Sequence, residues 1–138
     1  SIQAAILNIK LNHLDSYSFS RNKMAKNYDE NFSEIPELSI PKRQYNSTHV
    51  FHQYTLKIVP ELRNSLIDFL KENNIPAMIY YPVPLYKQEA FSSYVNSDFT
   101  IANVEQLCSS VFSLPIHTEY ENSSQEFIIN KVIEFFNR

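Results

Sequence analysis

At 138 residues the chain is the size of one domain, and its 43% hydrophobic and 14% aromatic content excludes intrinsic disorder. Its net charge of −3 comes from interspersed acids and bases, so it lacks the basic stripe that a nucleic-acid backbone requires, and no run approaches the roughly 18 apolar residues of a membrane span. It contains no glycine, where average usage would give about ten, so glycine-rich phosphate loops and dinucleotide fingerprints are excluded as well.

The first segment places Ile2, Ile6 and Ile9, then Tyr17, Met24 and Tyr28, at helical spacing, and Leu7, Leu11 and Leu14 add a second stripe. A long linking helix over residues 1–33 is predicted, apolar around much of its girth in the first half. That surface is expected to pack against other polypeptide or a second subunit, and an opening inside a helical pattern with no initiator Met reads as the edge of a fragment.

Pro36, Pro41 and Asn46 give residues 34–48 the composition of a connecting loop. Residues 49–59 then alternate, with Tyr54, Leu56 and Ile58 on one face and Gln53, Thr55 and Lys57 on the other, which predicts a strand. Pro60 opens a helix whose stripe is Leu62, Leu66, Phe69 and Leu70, and Asn74 is a left-handed terminator in place of glycine.

Ala77 to Tyr81 is predicted as a second strand, stopped by Pro82 and Pro84. A helix from Thr100 as N-cap to Ser110, a third strand over Val111 to Leu114 and a closing helix over Ser124 to Phe136 complete the chain. Three short strands with helices between them predict an α+β fold, a single domain over residues 1–138 with helices packed chiefly on one face of the sheet.

Candidate chemistry is sparse. Cys108 follows the apolar pattern of Val104 and Leu107 and reads as a buried core thiol in a reducing, cytoplasmic setting. His49 and His52 fall on opposite faces of the predicted strand, so no metal pair is expected. His13 and His117 have no carboxylate or thiol at ligand spacing. Asp29 with Glu30, and Glu119 with Glu121, sit in polar contexts that favour solvation over paired acid–base work. The segment Tyr80-Tyr81-Pro82-Val83-Pro84-Leu85-Tyr86 crowds three phenols around a rigid turn, where they either bind a sugar or base or cap the core beneath.

Four segments also carry a family resemblance. Ser1-Ile2-Gln3-Ala4-Ala5-Ile6-Leu7 with Lys10-Leu11, then His52-Gln53-Tyr54-Thr55, then Asn74-Ile75-Pro76 with Tyr80-Tyr81-Pro82-Val83-Pro84-Leu85, then Ser113-Leu114-Pro115-Ile116-His117 resemble, in order, the DegT/DnrJ/EryC1/StrS aminotransferases. The resemblance implies the minor domain of a fold-type-I transferase, with a small, mainly antiparallel three-stranded sheet. It implies a complete enzyme that uses pyridoxal phosphate to aminate a nucleotide-linked keto-sugar, UDP-linked and acetamido-bearing with glutamate as donor, for surface polysaccharide or glycan synthesis. The family's Schiff-base lysine and cofactor-binding groups precede the helix with which this chain begins. No catalytic or cofactor-binding residue is therefore carried over, and this segment alone is expected to be inactive and to bind no cofactor. The substrate-facing positions are Tyr80, Tyr81 and Tyr86, with Gln53 as a further candidate; histidine is common in the family at the first and third of these. An upstream large domain and a homodimer are implied partners. The alternative is a free-standing module that binds a protein through its tyrosine turn and first helix.

Overall fold

The computed structural model describes residues 1–96 and 98–138. The N-terminal segment forms two helices, α1 over Ile2–Leu11 and α2 over Leu14–Phe32, where the sequence predicts one. The break falls at Asn12 and His13. His13 leaves the helical region at φ −107° and ψ 2°, and Ser16 Oγ donates to its carbonyl at 2.8 Å. Asn, His and Ser compete with the helical ladder through local side-chain bonds, and three of them within five residues suffice to restart it.

Helix α2 buries Met24, Ala25, Tyr28 and Phe32, spaced to form one face. No residue of α1 is buried. Ile2 is 82% exposed and Ile9 67%, so the apolar girth read from sequence lies open in this chain.

The sheet has three antiparallel strands in the order β1 over Leu38–Ser39, β2 over Tyr54–Ile58 and β3 over Val111–Leu114. Its membership differs from the prediction. β1 comes from the proline-rich connection, where Leu38 pairs with Ile58 and Ser39 with Lys57. The predicted strand at Ala77–Tyr81 is reduced to one bridge, in which Met78 and Ser113 exchange backbone bonds at 3.1 and 2.7 Å. Pro76 and Pro82 have no N–H to give on either side, so the ladder cannot extend.

β2 starts at Tyr54 and not at His49 because Phe51 takes φ 46°. A bulky residue in the left-handed region needs support. Phe51 has it: the residue is 1% exposed, its N–H donates to His49 Nδ1 at 2.9 Å, and its ring lies 4.2 Å from the His49 ring.

Leu56 opposes Phe112 and Tyr54 opposes Leu114 across β2 and β3, which puts these four on one face. That face carries the core, with Tyr28 and Phe32 of α2, Leu66 and Leu70 of α3 (Pro60–Glu72), and Ile128, Ile129 and Val132 of α5 (Asn122–Phe136). Pro60 fits the first turn of α3, where its missing donor is not needed. At the other end Asn74 sits at φ 59°, Ile75 N–H donates to Leu70 O at 2.9 Å, and Asn74 N–H donates to Lys71 O at 3.0 Å. This reciprocal pair is the Schellman arrangement, with asparagine filling the role usually given to glycine and Ile75 buried behind it.

Polar ties fix the layers. Gln125 of α5 is buried; it donates to Met24 O at 2.8 Å and accepts from Asn27 Nδ2 at 3.1 Å, joining α5 to α2. Tyr54 Oη donates to Asp29 Oδ1 at 2.8 Å, while Arg43 Nε donates to Asp29 Oδ2 at 3.0 Å and its guanidinium lies 4.4 Å from the centre of the Phe51 ring. Burial, followed by the Asp29 bond, pushes the Tyr54 phenol well above its ordinary range. Tyr28 Oη donates to Pro115 O at 2.9 Å, and burial drives that phenol up as well. α4, over Ala102–Ser110, shares a cleft with Thr55 and Val111 on the sheet face opposite Tyr54 and Leu56, while α2, α3 and α5 pack on the core face, as the predicted layering requires. It begins after Ile101 and not after Thr100, with no side-chain cap.

Candidate functional site

The tyrosine turn hangs from the Met78 bridge at the free edge of β3 and folds back toward α4. Pro82 and Pro84 fix φ through the turn, and a single turn of 3-10 helix over Leu85–Lys87 closes it, with Lys87 N–H donating to Pro84 O at 2.9 Å. Between this turn and α4 lies an open cleft of about 490 Å³. Its floor is Thr55 of β2 and Val111 of β3, one wall is Tyr80 and Tyr81, and the opposite wall is Leu107 and Cys108.

Tyr80 is 40% and Tyr81 71% exposed, and their rings meet edge to face at 6.0 Å. The peptide between them is cis. Two exposed phenols beside an apolar hollow can stack on a planar or sugar ring and donate to hydroxyls or phosphate oxygens. Cys108 is only half-buried and lines this cleft, which corrects the expectation of a core thiol: helix α4 lies on the far side of the sheet, away from the main cluster.

Tyr86 stands apart from the other two phenols. Its hydroxyl donates to Glu105 Oε1 and accepts from Ile101 N–H at 3.0 Å, and its ring packs edge-on against Phe99 at 5.2 Å. Lys87 Nζ reaches the same Glu105 oxygen at 2.7 Å. Partial desolvation and then the Glu105 bond raise the Tyr86 phenol above its ordinary value. Lys87 first and Tyr86 second hold the Glu105 carboxyl below its own.

Gln53 lies in the bend that precedes β2 by one residue and is not among the residues lining the cleft. The structure therefore gathers Tyr80 and Tyr81 with Thr55, sets Tyr86 behind them as a tie to α4, and leaves Gln53 adjacent. Glu105 escapes sequence reading because it lies 19 residues from Tyr86 with no motif around it. A weak signal was its place in the first turn of α4, where a carboxylate favours the helix N-terminus.

A second, larger groove of about 930 Å³ runs under α1, between Leu7, Leu11, Leu14 and Tyr17 on one side and His52 and His117 on the other. Arg21 lines it too, its Nε donating to Val50 O at 2.8 Å.

The sequence profile of the DegT/DnrJ/EryC1/StrS aminotransferase family matches residues 1–133. The chain belongs to that family. A "Pleiotropic regulatory protein" of Geobacillus stearothermophilus is 36% identical over 98% of the chain, which spans 36% of that relative. A dTDP-3-amino-3,6-dideoxy-alpha-D-galactopyranose transaminase of Aneurinibacillus thermoaerophilus is 34% identical over 95% of the chain, which spans 35% of it. The crystal structure of S. venezuelae DesV in complex with a ketimine intermediate superposes with a TM-score of 0.92 at 29% identity, over 99% of this chain and 36% of that one. The chain thus corresponds to about a third of the length of these relatives, and its α+β fold is that of a family aminotransferase segment.

The residues that line the tyrosine cleft do not suit the family's cofactor as sole ligands. A pyridoxal phosphate needs convergent N–H or cationic donors for its phosphate and a lysine for its aldehyde. The cleft lining contains no lysine or arginine, and nearby Lys87 is already paired with Glu105.

Proposed function

We propose that this chain is the small domain of a pyridoxal-phosphate-dependent nucleotide-sugar aminotransferase, and that its tyrosine turn covers the substrate beside a cofactor held by a separate large domain. The observation that carries the reading is the pair of exposed phenols, Tyr80 and Tyr81, at the rim of an apolar cleft in a chain of this family. Tyr80, Tyr81, Tyr86 and Gln53 form the substrate side, with Tyr86 acting through its contacts to α4.

The uncovered apolar surface of α1 supports the same division of labour. A helix that buries nothing in its own chain while presenting Ile2, Ile6, Leu7 and Ile9 is a docking element for the large domain, within a homodimer of the complete enzyme. In this reading the substrate is a UDP-linked acetamido keto-sugar, the amino donor is glutamate, and the reaction takes place in the cytoplasm. The name of the A. thermoaerophilus relative makes a dTDP-linked keto-sugar the competing substrate. No helix among the described residues is long and apolar enough to cross a membrane.

The test is amino transfer from glutamate to UDP- and dTDP-linked keto-sugars by the polypeptide that carries this chain joined to its large domain, beside the 138-residue chain alone. The joined protein should transfer and the chain alone should not. If borohydride linked pyridoxal phosphate to a lysine of the isolated chain with loss of its visible absorbance, this division of labour would be wrong.

A further inference from the structure

The cleft has two walls that belong to different elements, and the tyrosine turn is not continuous with α4 in the sheet. Its backbone anchor is the Met78 bridge, which precedes Tyr80. Beyond Tyr81 the turn is held against α4 by side chains, and these converge on one carboxylate. Glu105, in the first turn of α4, receives Tyr86 Oη and Lys87 Nζ on the same oxygen, and Tyr86 Oη in turn receives the Ile101 N–H that leads into the helix.

We propose that Glu105 is a positioning residue: by holding Tyr86 and Lys87 it fixes the distance between the Tyr80–Tyr81 wall and the Leu107–Cys108 wall, and so sets the width of the cleft. Several observations agree. Glu105 and Cys108 lie three residues apart on α4, so they share a helix face and a shift of one carries the other. The Tyr86 ring is also braced edge-on by Phe99 at 5.2 Å, a contact that supports the phenol beside Glu105. Two charge-assisted bonds to one carboxylate are stronger and more directional than neutral ones, as a wall standing in water requires. The low Glu105 carboxyl keeps that acceptor ionised at neutral pH. The consequence for function rests on reading Tyr80 and Tyr81 as the substrate-facing wall.

Cys108 is the single cysteine of the chain and lines the cleft, so it reports the width directly. The experiment compares its alkylation by N-ethylmaleimide and by the bulkier N-(1-pyrenyl)maleimide in the native chain, Glu105→Gln and Tyr86→Phe. Using the ratio of the two rates removes changes in thiolate reactivity, which matter because Glu105→Gln frees the Lys87 charge near Cys108. Tyr86→Phe leaves the Lys87–Glu105 pair intact and so repeats the test without that change.

The expected result is a rise of roughly three- to fivefold in the bulky-to-small ratio for both variants, with cooperative unfolding retained. An unchanged ratio in both folded variants overturns the proposal. So does an equal acceleration by both reagents in Glu105→Gln with no response in Tyr86→Phe, which is the signature of charge alone. If Glu105→Gln does not fold, Tyr86→Phe decides. In the joined enzyme, Glu105→Gln should raise the KM for nucleotide sugar severalfold and leave the glutamate half-reaction unchanged. A shifted maleimide ratio with an unmoved KM would retain the tie and reject the substrate-facing role of the wall.

Discussion

Replacing Tyr54 by phenylalanine isolates the bond that joins the central strand to α2. The hydroxyl donates to Asp29 Oδ1 at 2.8 Å, and the ring is fully buried, in contact with Tyr28 at 4.8 Å between centroids. A bond to a charged acceptor contributes about 1.5–3 kcal/mol. Here the lower end applies: the Asp29 side chain is 16% exposed, so water can partly replace the phenol, and Arg43 remains on the other carboxylate oxygen. The expected loss is therefore about 1.5 kcal/mol, or about 5 °C in Tm for a chain of this length. With an m-value of about 2 kcal/mol/M, the urea midpoint falls by about 0.7 M at constant slope. Urea unfolding followed by far-ultraviolet circular dichroism reads this directly. A midpoint within about 0.2 M of the native chain would refute the reasoning, because it would mean that the bond adds nothing over solvation of Asp29.

Other predictions concern the chain ends and the glycine-free turn. Asn74→Ala should lower stability by about 1 kcal/mol because alanine resists the left-handed conformation, whereas Asn74→Gly should be neutral or slightly stabilising; equal losses in urea unfolding would reject the role given to φ 59°. Glu134 accepts from Lys131 Nζ at 2.7 Å and from Arg138 Nη2 at 2.8 Å, and Lys131 foremost holds its carboxyl below the ordinary value. A carboxyl depressed on folding stabilises above its unfolded pKa and loses that contribution as pH falls through the folded one. Glu134→Gln should therefore lower the unfolding midpoint at pH 7, and the difference should shrink as pH falls below the ordinary carboxylate range; a difference that grew on acidification would contradict the assignment.

Much of the fold was legible because it rests on periodic patterns. The Leu66–Phe69–Leu70 stripe, the Asn74 terminator, the Tyr54–Leu56–Ile58 face and the Val111–Leu114 strand each follow from residues close in sequence. What was not legible depends on partners far away. Leu38–Ser39 is too short to show alternation and becomes a strand only because β2 lies beside it. Ala77–Tyr81 has strand composition, yet its flanking prolines leave a single bridge. Phe51 gives no sign of a left-handed backbone, since its stabilising ring contacts form only once His49, Arg43 and Tyr54 are brought around it. At the site, the double-proline turn marked Tyr80 and Tyr81, but nothing local distinguished Tyr86 as a tie to Glu105 or placed Cys108 on the facing wall.

The most direct test of the proposed role is the nucleotide-sugar dependence of transamination by the joined enzyme carrying Tyr81→Ala. Loss of a 71% exposed ring at the cleft rim should raise the KM for the sugar substrate about tenfold, the factor given by about 1.4 kcal/mol of ring contact and hydroxyl bonding, with the glutamate half-reaction unchanged. An unaltered KM for this variant, and likewise for Tyr80→Phe and Tyr86→Phe, would contradict the account.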